Sequence, residues 1–286
     1  MKRREFVQKS ALATAGALAA PSLLAASPME KIEEYGVQLY TVRDVLEKDF
    51  GGTLKSLRKI GYDYCETFGF NGTTVLGKSI SETKALHKKA KLPIKSVHIM
   101  PDVMRGDWQQ AVDNARELGA EYIVVAYILP DDRKKLDQYK ELADLINTSA
   151  EISKKSGLQF LYHNHEFEFE TLEGEVPYEL LLKSTDAYYV KMELDLYWVR
   201  YADRDPLALF REYGKRFPTW HVKDMELADT RVMTEVGAGR IDWKQLFSHA
   251  YDSGLQHFFV EQDRNWAVDP VASTATSYKH LKGLRY

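Results

Sequence analysis

The chain has 286 residues and one cysteine, Cys65. Its formal net charge is −3, which argues against a nucleic-acid binder, since those present a strongly basic face. A single thiol excludes an internal disulfide, and Cys65 reads as a small buried side chain within a strand.

The first residues form a segment separate from the fold. Lys2, Arg3, Arg4 and Lys9 make a basic start, and an Ala-rich apolar run extends from Ala11 to Ala26 before Pro28. The run is short for a bilayer span, which needs roughly 20 apolar residues. Basic start, apolar middle and small-residue exit are the layout of an export signal. The paired arginines ahead of Phe6 resemble a twin-arginine signal, which carries folded cargo across the bacterial inner membrane. The expectation is therefore a signal over residues 1–28, a barrel over 29–286, and a periplasmic location with no membrane attachment after cleavage.

From Met29 onward, short β-like runs alternate with helical spacing. Eight runs are predicted: Tyr35–Tyr40, Tyr62–Thr67, Ile94–Ile99, Tyr122–Tyr127, Leu158–His163, Tyr189–Asp195, Thr219–Val222 and His257–Glu261. Between them the spacing predicts helices over Leu54–Ile60, Ser81–Lys91, Asp107–Leu118, Arg133–Ser156, Pro206–Phe217, Asp242–Ser253 and Asp269–Leu284. Ser81 is the expected cap of the second, and Gly119, Gly157 and Gly254 are placed to end helices. Alternation of this kind implies parallel strands joined by right-handed crossovers. Eight units close into a single-domain α/β (β/α)8 TIM barrel. A doubly wound open sheet is the rival, but GVQLYTVR after the first strand lacks a Gly-rich phosphate fingerprint.

Barrel active sites form at the C-terminal ends of the strands, so the polar residues ending each run are the candidates. Strand one gives Gln38, Tyr40 and Arg43; strand two, Glu66; strand three, His98. Strand four is nearly all apolar and offers no obvious chemistry. Strand five ends in LQFLYHNHEFEF, where His163 and His165 share a face by the two-residue period. Strand six gives Glu193 and Asp195, with Trp198 beyond; strand seven gives His221, Lys223 and Asp224; strand eight gives Glu261, Gln262 and Asp263. Singly, each has an ordinary reading as a cap, a core histidine or an exposed charge. Together, imidazoles and carboxylates on consecutive strand ends converge on one rim, where buried charge needs partners or a cation. Mixed nitrogen and oxygen ligands suit Mn, Fe, Co, Ni or Zn better than Mg or Ca.

The motifs ELD (193–195), WHVKD (220–224), EVGAGRIDW (235–243) and VEQD (260–263), with GVQLYTVRD and HNHEFEF, resemble the sugar phosphate isomerase/epimerase-like family of xylose isomerase-like TIM barrels. The resemblance implies one divalent metal ion (Mn, Co, Zn, Fe, Ni or Mg) held by Asp195, His221 and Glu261. The family's fifth-strand ligand is a Glu preceding an Asn; here His163 precedes Asn164, so the role passes to His163, with His165 as the competing choice. It also implies proton abstraction beside a carbonyl: isomerisation, epimerisation or elimination on a small carbohydrate. Glu193, His165, Glu235 and Lys223 are the candidates for proton traffic and oxygen binding. Tyr40, His98, Trp198 and Trp266 are candidates for a wall against the sugar. Export favours an unphosphorylated sugar, inosose or 3-keto-glycoside. The alternatives are a non-catalytic saccharide-binding barrel and an apurinic-site endonuclease-like hydrolase. A homodimer is left open.

Overall fold

The computed structural model describes residues 30–228 and 231–286. The expected export signal over residues 1–28 lies outside the described residues.

All eight expected strands form and close into a parallel barrel. They are β1 (Gly36–Gln38), β2 (Tyr64–Thr67), β3 (Ile94–Ile99), β4 (Tyr122–Val125), β5 (Gln159–His163), β6 (Val190–Asp195), β7 (Thr219–Val222) and β8 (His257–Val260). Each pairs with its neighbours in sequence, and β1 closes on β8 through Val37 opposite Val260. Three strands stop one or two residues short of the sequence expectation at the rim. There the backbone turns into the loops that carry Tyr40, Tyr127 and Glu261.

The helices are cut where the caps predict. Asp49, Asp107, Asp205, Asp242 and Asp269 each accept a hydrogen bond from a backbone N–H in the first turn of the helix that follows, satisfying donors otherwise orphaned. The second predicted helix starts earlier than expected. Ser79, not Ser81, caps Ile80–Ala90 and pairs with Glu82 in a capping box. Gly119 and Gly254 end their helices at positive φ as expected. Gly157 has φ +85° one residue past the cap of Leu136–Lys155. Among the described residues four short α-helices escape the sequence reading: Arg43–Lys48, Asp102–Arg105, Pro177–Ser184 and Leu196–Tyr201. They are four to eight residues long, too short for a 3.6-residue period to stand out. Pro177–Ser184 is the crossover between β5 and β6.

Floor and rim of the barrel interior differ in character. Near the floor, Tyr64 crosses to the β8 backbone, its hydroxyl donating to the Phe258 carbonyl at 3.3 Å. A Cβ at Gly36 would sit 2.2 Å from the Tyr64 ring and 2.3 Å from that carbonyl, so only glycine permits the crossing. Higher up, where barrels usually stack Val, Ile and Leu, this one holds Gln38, Glu66, His98, His163, Glu193, Thr219 and His221, all buried. No helix among the described residues is long and apolar enough to cross a membrane.

Candidate functional site

Register brings the polar strand ends level. His163 on β5 lies opposite Glu193 on β6, and Asp195 on β6 lies opposite His221 on β7. Asn164 locks the first two strand ends together. Its side-chain carbonyl accepts from the Asp195 backbone N–H at 3.0 Å and its amide donates to the Asp195 carbonyl at 3.3 Å. Asp195 also caps Leu196–Tyr201, its Oδ1 accepting from the Trp198 N–H at 3.0 Å.

Two buried layers follow. In the lower one, Glu193 Oε2 lies 2.7 Å from His98 Nε2, 3.2 Å from His221 Nε2 and 3.3 Å from His163 Nδ1, while Thr219 donates to Glu193 Oε1 at 3.0 Å. Glu66 Oε2 faces His221 Nε2 at 2.6 Å and His98 Nε2 at 2.9 Å, and accepts from Gln38 Nε2 at 2.7 Å. In the upper layer, His221 Nδ1 lies 2.7 Å from Glu261 Oε2. Lys223 Nζ stands between three carboxyl groups, 2.6 Å from Glu261 Oε2, 3.0 Å from Asp195 Oδ2 and 3.3 Å from Asp263 Oδ2.

These contacts set the charges. Burial works against the His221 imidazolium, but Glu193, Glu261 and Glu66 outweigh it and hold its pKa well above the ordinary value. Burial likewise opposes charge on Lys223, and Asp195, Asp263 and Glu261 more than restore it. For His98, Glu66 and Glu193 overcome burial and lift its pKa to about 9. The other two histidines go the other way. Burial, with the His221 cation beside it, lowers His163 to about 3. Burial, with His163 and Lys223 adding to it, holds His165 well below the ordinary range. Both are neutral imidazoles at physiological pH, the form that binds a metal or accepts a proton.

The upper layer fits a divalent ion. Asp195, His221 and Glu261 offer ligand atoms within 4.8 Å of one another, all buried. Asp195 Oδ2 accepts no hydrogen bond and has only ionic neighbours. The His221 ring nitrogen opposite Glu261 is backed by Glu66, the carboxylate support that metal-ligating histidines use. The Lys223 ammonium and a metal ion would compete for the same carboxylate oxygens. His163 Nε2 is 3.7 Å from Asp195 Oδ2, so it faces this group from β5.

A cavity of about 720 Å³ opens above the cluster at the C-terminal rim. His98, His163, His165, Lys223, Glu261 and Asp263 reach it, with Arg43 and Arg264 at the edge. A cavity of similar size, about 690 Å³, opens at the opposite end beside Lys154, Lys191 and Lys215, but no buried histidine or carboxylate cluster meets it.

The sequence-chosen residues thus separate into groups. His163, Asp195, His221, Glu261 and Lys223 meet in one place. Glu193 and His98 join the lower layer, His98 reaching the cavity and Glu193 not. Tyr40 and His165 line the cavity. Trp198 is buried behind Lys223, whose Nζ is 5.6 Å from its ring. Trp266 lies outside the lining, 5.5 Å from the Arg43 guanidinium carbon. Glu235 turns away. It accepts from Ser273 Oγ at 2.5 Å and from the Ala267 N–H at 2.9 Å, stapling its loop to the last helix. Asp224 does similar work in the same loop, accepting from the Gly237 N–H and Trp243 Nε1, each at 2.8 Å. Sequence reading placed Glu66 at a strand end but gave it no role, although it carried the same signal as Glu193. Sequence reading passed over Phe68, Phe70 and Met100, whose apolar character just past strand ends gives no chemical signal.

A model of the xylose isomerase-like TIM barrel family matches residues 54–284. Inosose dehydratases are among the similar proteins: that of Bacillus thuringiensis is 24% identical over 237 residues, 68% of this chain and 79% of that one. That of Clostridium perfringens is 23% identical over 164 residues, and this match spans about half of each chain, 51% and 54%. Among solved structures, a sugar phosphate isomerase/epimerase from Parabacteroides distasonis superposes with a TM-score of 0.78 at 22% identity, covering 88% of this chain and 99% of that one. A protein named IOLI with a bound zinc atom gives 0.70 at 14% identity over 87% and 98%. A 3-keto-D-glucoside 4-epimerase from E. coli gives 0.64 at 16% identity over 89% and 100%. At these identities the structures share the fold.

Proposed function

The chain belongs to the xylose isomerase-like TIM barrel family, and on that premise we propose that it is a divalent-metal-dependent isomerase, epimerase or lyase of an unphosphorylated keto-sugar or keto-glycoside. The observation that carries the reading is the convergence of Asp195, His221 and Glu261 from three successive strands around one buried point, open to a cavity through Glu261, Lys223 and His163. Dehydratase and epimerase activities among the similar proteins support a carbohydrate substrate.

Asp195, His221, Glu261 and His163 would hold the ion; bound there, it would polarise a carbonyl and offset negative charge developing beside it. The chain's own groups supply the rest. His165 is neutral, cavity-facing and free at Nδ1 of any hydrogen bond, so it serves as the base that takes a proton from carbon next to the carbonyl. Lys223 keeps its proton and donates to a substrate oxygen on which charge builds. Glu193, enclosed in the lower layer, holds His98 and His221 in place. Residues 1–28 would take the folded enzyme to the periplasm; replacing Arg3 and Arg4 with lysine would leave it in the cytoplasm, read by fractionation.

The test has two parts. Metal analysis of the purified protein is expected to find about one divalent ion per chain, lost in a His221→Ala, Glu261→Ala variant. Incubation with keto-sugars and keto-glycosides in deuterated water is expected to place solvent deuterium next to the carbonyl, and a chelator to stop it. Full activity of metal-free protein would overturn the reading.

A further inference from the structure

The rim is divided. The β5–β8 half carries the histidines, lysine and carboxyl groups, whereas the β1–β4 half that lines the same cavity is Tyr40, Phe68, Phe70, Met100 and Tyr127 with small neighbours. Apart from His98 at the base, the Arg43 guanidinium at the edge and the two tyrosine hydroxyls, that half presents carbon. Tyr40 and Met100 are among the few large apolar side chains left more than a third exposed, at 39% and 36%. Large exposed apolar groups side by side at a cavity mark a contact surface.

The wall is also held in shape. Tyr40 and Phe68 pack edge to face with ring centres 5.2 Å apart, and the Arg43 guanidinium carbon lies 4.2 Å from the Tyr40 ring centre. Across the cavity, Tyr127 packs edge-on against His165 at 5.0 Å and its hydroxyl accepts from Arg133 Nη2 at 3.0 Å. Rings fixed this way present their faces and edges without losing further freedom on binding.

Size decides what the wall is for. A cavity of about 720 Å³ corresponds to roughly 24 water volumes at about 30 Å³ each, well beyond what a single hexose takes up. A sugar held by the ionic half leaves the other half to be filled, and sugar hydroxyls turned toward carbon would lose hydrogen bonds.

We infer that the substrate is a keto-glycoside bearing an aromatic or alkyl substituent, with the sugar on the β5–β8 half and the substituent against Tyr40, Phe68, Phe70, Met100 and Tyr127. This rests on the proposed function for the sugar half alone; the substituent half stands on the wall.

The experiment titrates the full-length mature protein, by calorimetry, with pairs of methyl and phenyl keto-glycosides matched in sugar. The phenyl member is expected to bind about ten-fold more tightly or better. Phe68→Ser and, separately, the more exposed Met100→Ser should cut that advantage several-fold while leaving methyl-glycoside affinity close to the parent, and Met100→Ser should also leave the melting temperature close to it. Equal affinity within each pair, or an advantage that survives both variants, would overturn the inference, as would binding of neither. So would a dimer in sedimentation that Met100→Asp dissociates, because a second copy would then cover the wall. The two readings fail separately. Phenyl preference without deuterium exchange would overturn the proposed reaction and keep this inference; exchange with no phenyl preference would do the reverse.

Discussion

Glu66 on β2 reaches across the barrel to His221 on β7, with 2.6 Å between Oε2 and Nε2. One nitrogen of the ring is thereby committed to a carboxylate, and the other is turned to Glu261. Replacing Glu66 with glutamine keeps the shape and removes the charge. The expected outcome is a 10–100-fold loss of metal affinity, the usual effect of losing such support, measured by competition with a chromogenic chelator. Unchanged affinity would show that His221 is oriented without Glu66.

Lys223 is buried among Asp195, Glu261 and Asp263. Lys223→Met leaves those carboxyl groups uncompensated, and breaking a buried pair from one side costs about 3–5 kcal/mol. Chemical denaturation of metal-free protein should show a loss of that order. Added divalent ion should stabilise the variant more than the parent, because the ammonium no longer competes. A variant as stable as the parent without metal would contradict this placement.

His163 and His165 are separable by mutation. His163→Ala should lower metal content. His165→Ala should keep the ion and lose about 10²–10⁴-fold in turnover, the range for a positioned base. Elemental analysis alongside steady-state rates distinguishes the two. Loss of metal in His165→Ala with retention in His163→Ala would exchange the roles.

Glu168 gives a pH dependence whose sign can be worked out. Burial raises its pKa to about 7, against partial relief from the Tyr162 hydroxyl at 2.6 Å and the His165 N–H at 2.8 Å. The native state then holds a proton between about pH 4.5 and 7 that the unfolded chain has released. Stability from this group is complete below the unfolded pKa and falls as pH rises through 7. At about 1.4 kcal/mol per pKa unit, the loss is on the order of 3 kcal/mol. Glu168→Gln, which cannot titrate, should gain on the parent by that order between pH 4.5 and 8 in urea denaturation. Parallel curves would remove Glu168 from the account.

The eight strands were legible because each is a short apolar run bounded by turn residues, and Asp107, Asp242 and Asp269 marked three of the seven expected helix starts. Asp195, His221 and Glu261 were legible as strand-end chemistry, and the family motif sharpened them. The division between Asp195 and Glu193 was not. Two residues apart on one strand, they point the same way, yet two residues' rise along the strand puts Asp195 level with Lys223 and Glu261 and Glu193 beneath them. Glu235 read as rim chemistry because it opens the EVGAGRIDW motif of the family resemblance, but Ser273 and Ala267, far away in sequence, bind its carboxylate. Such long-range partners leave no local trace.

The divided rim also divides the chain. Everything proposed to grip the variable part of a substrate lies between Tyr40 and Tyr127, and everything proposed to move protons or hold an ion lies between His163 and Asp263. Mutation or recombination in the first half can therefore retarget the enzyme while the second half is inherited intact. The lower layer limits that freedom, since Glu66 and His98 come from the first half and support the second. New specificities would thus arise in the loops beyond β2 and β3, with the strands beneath them unchanged.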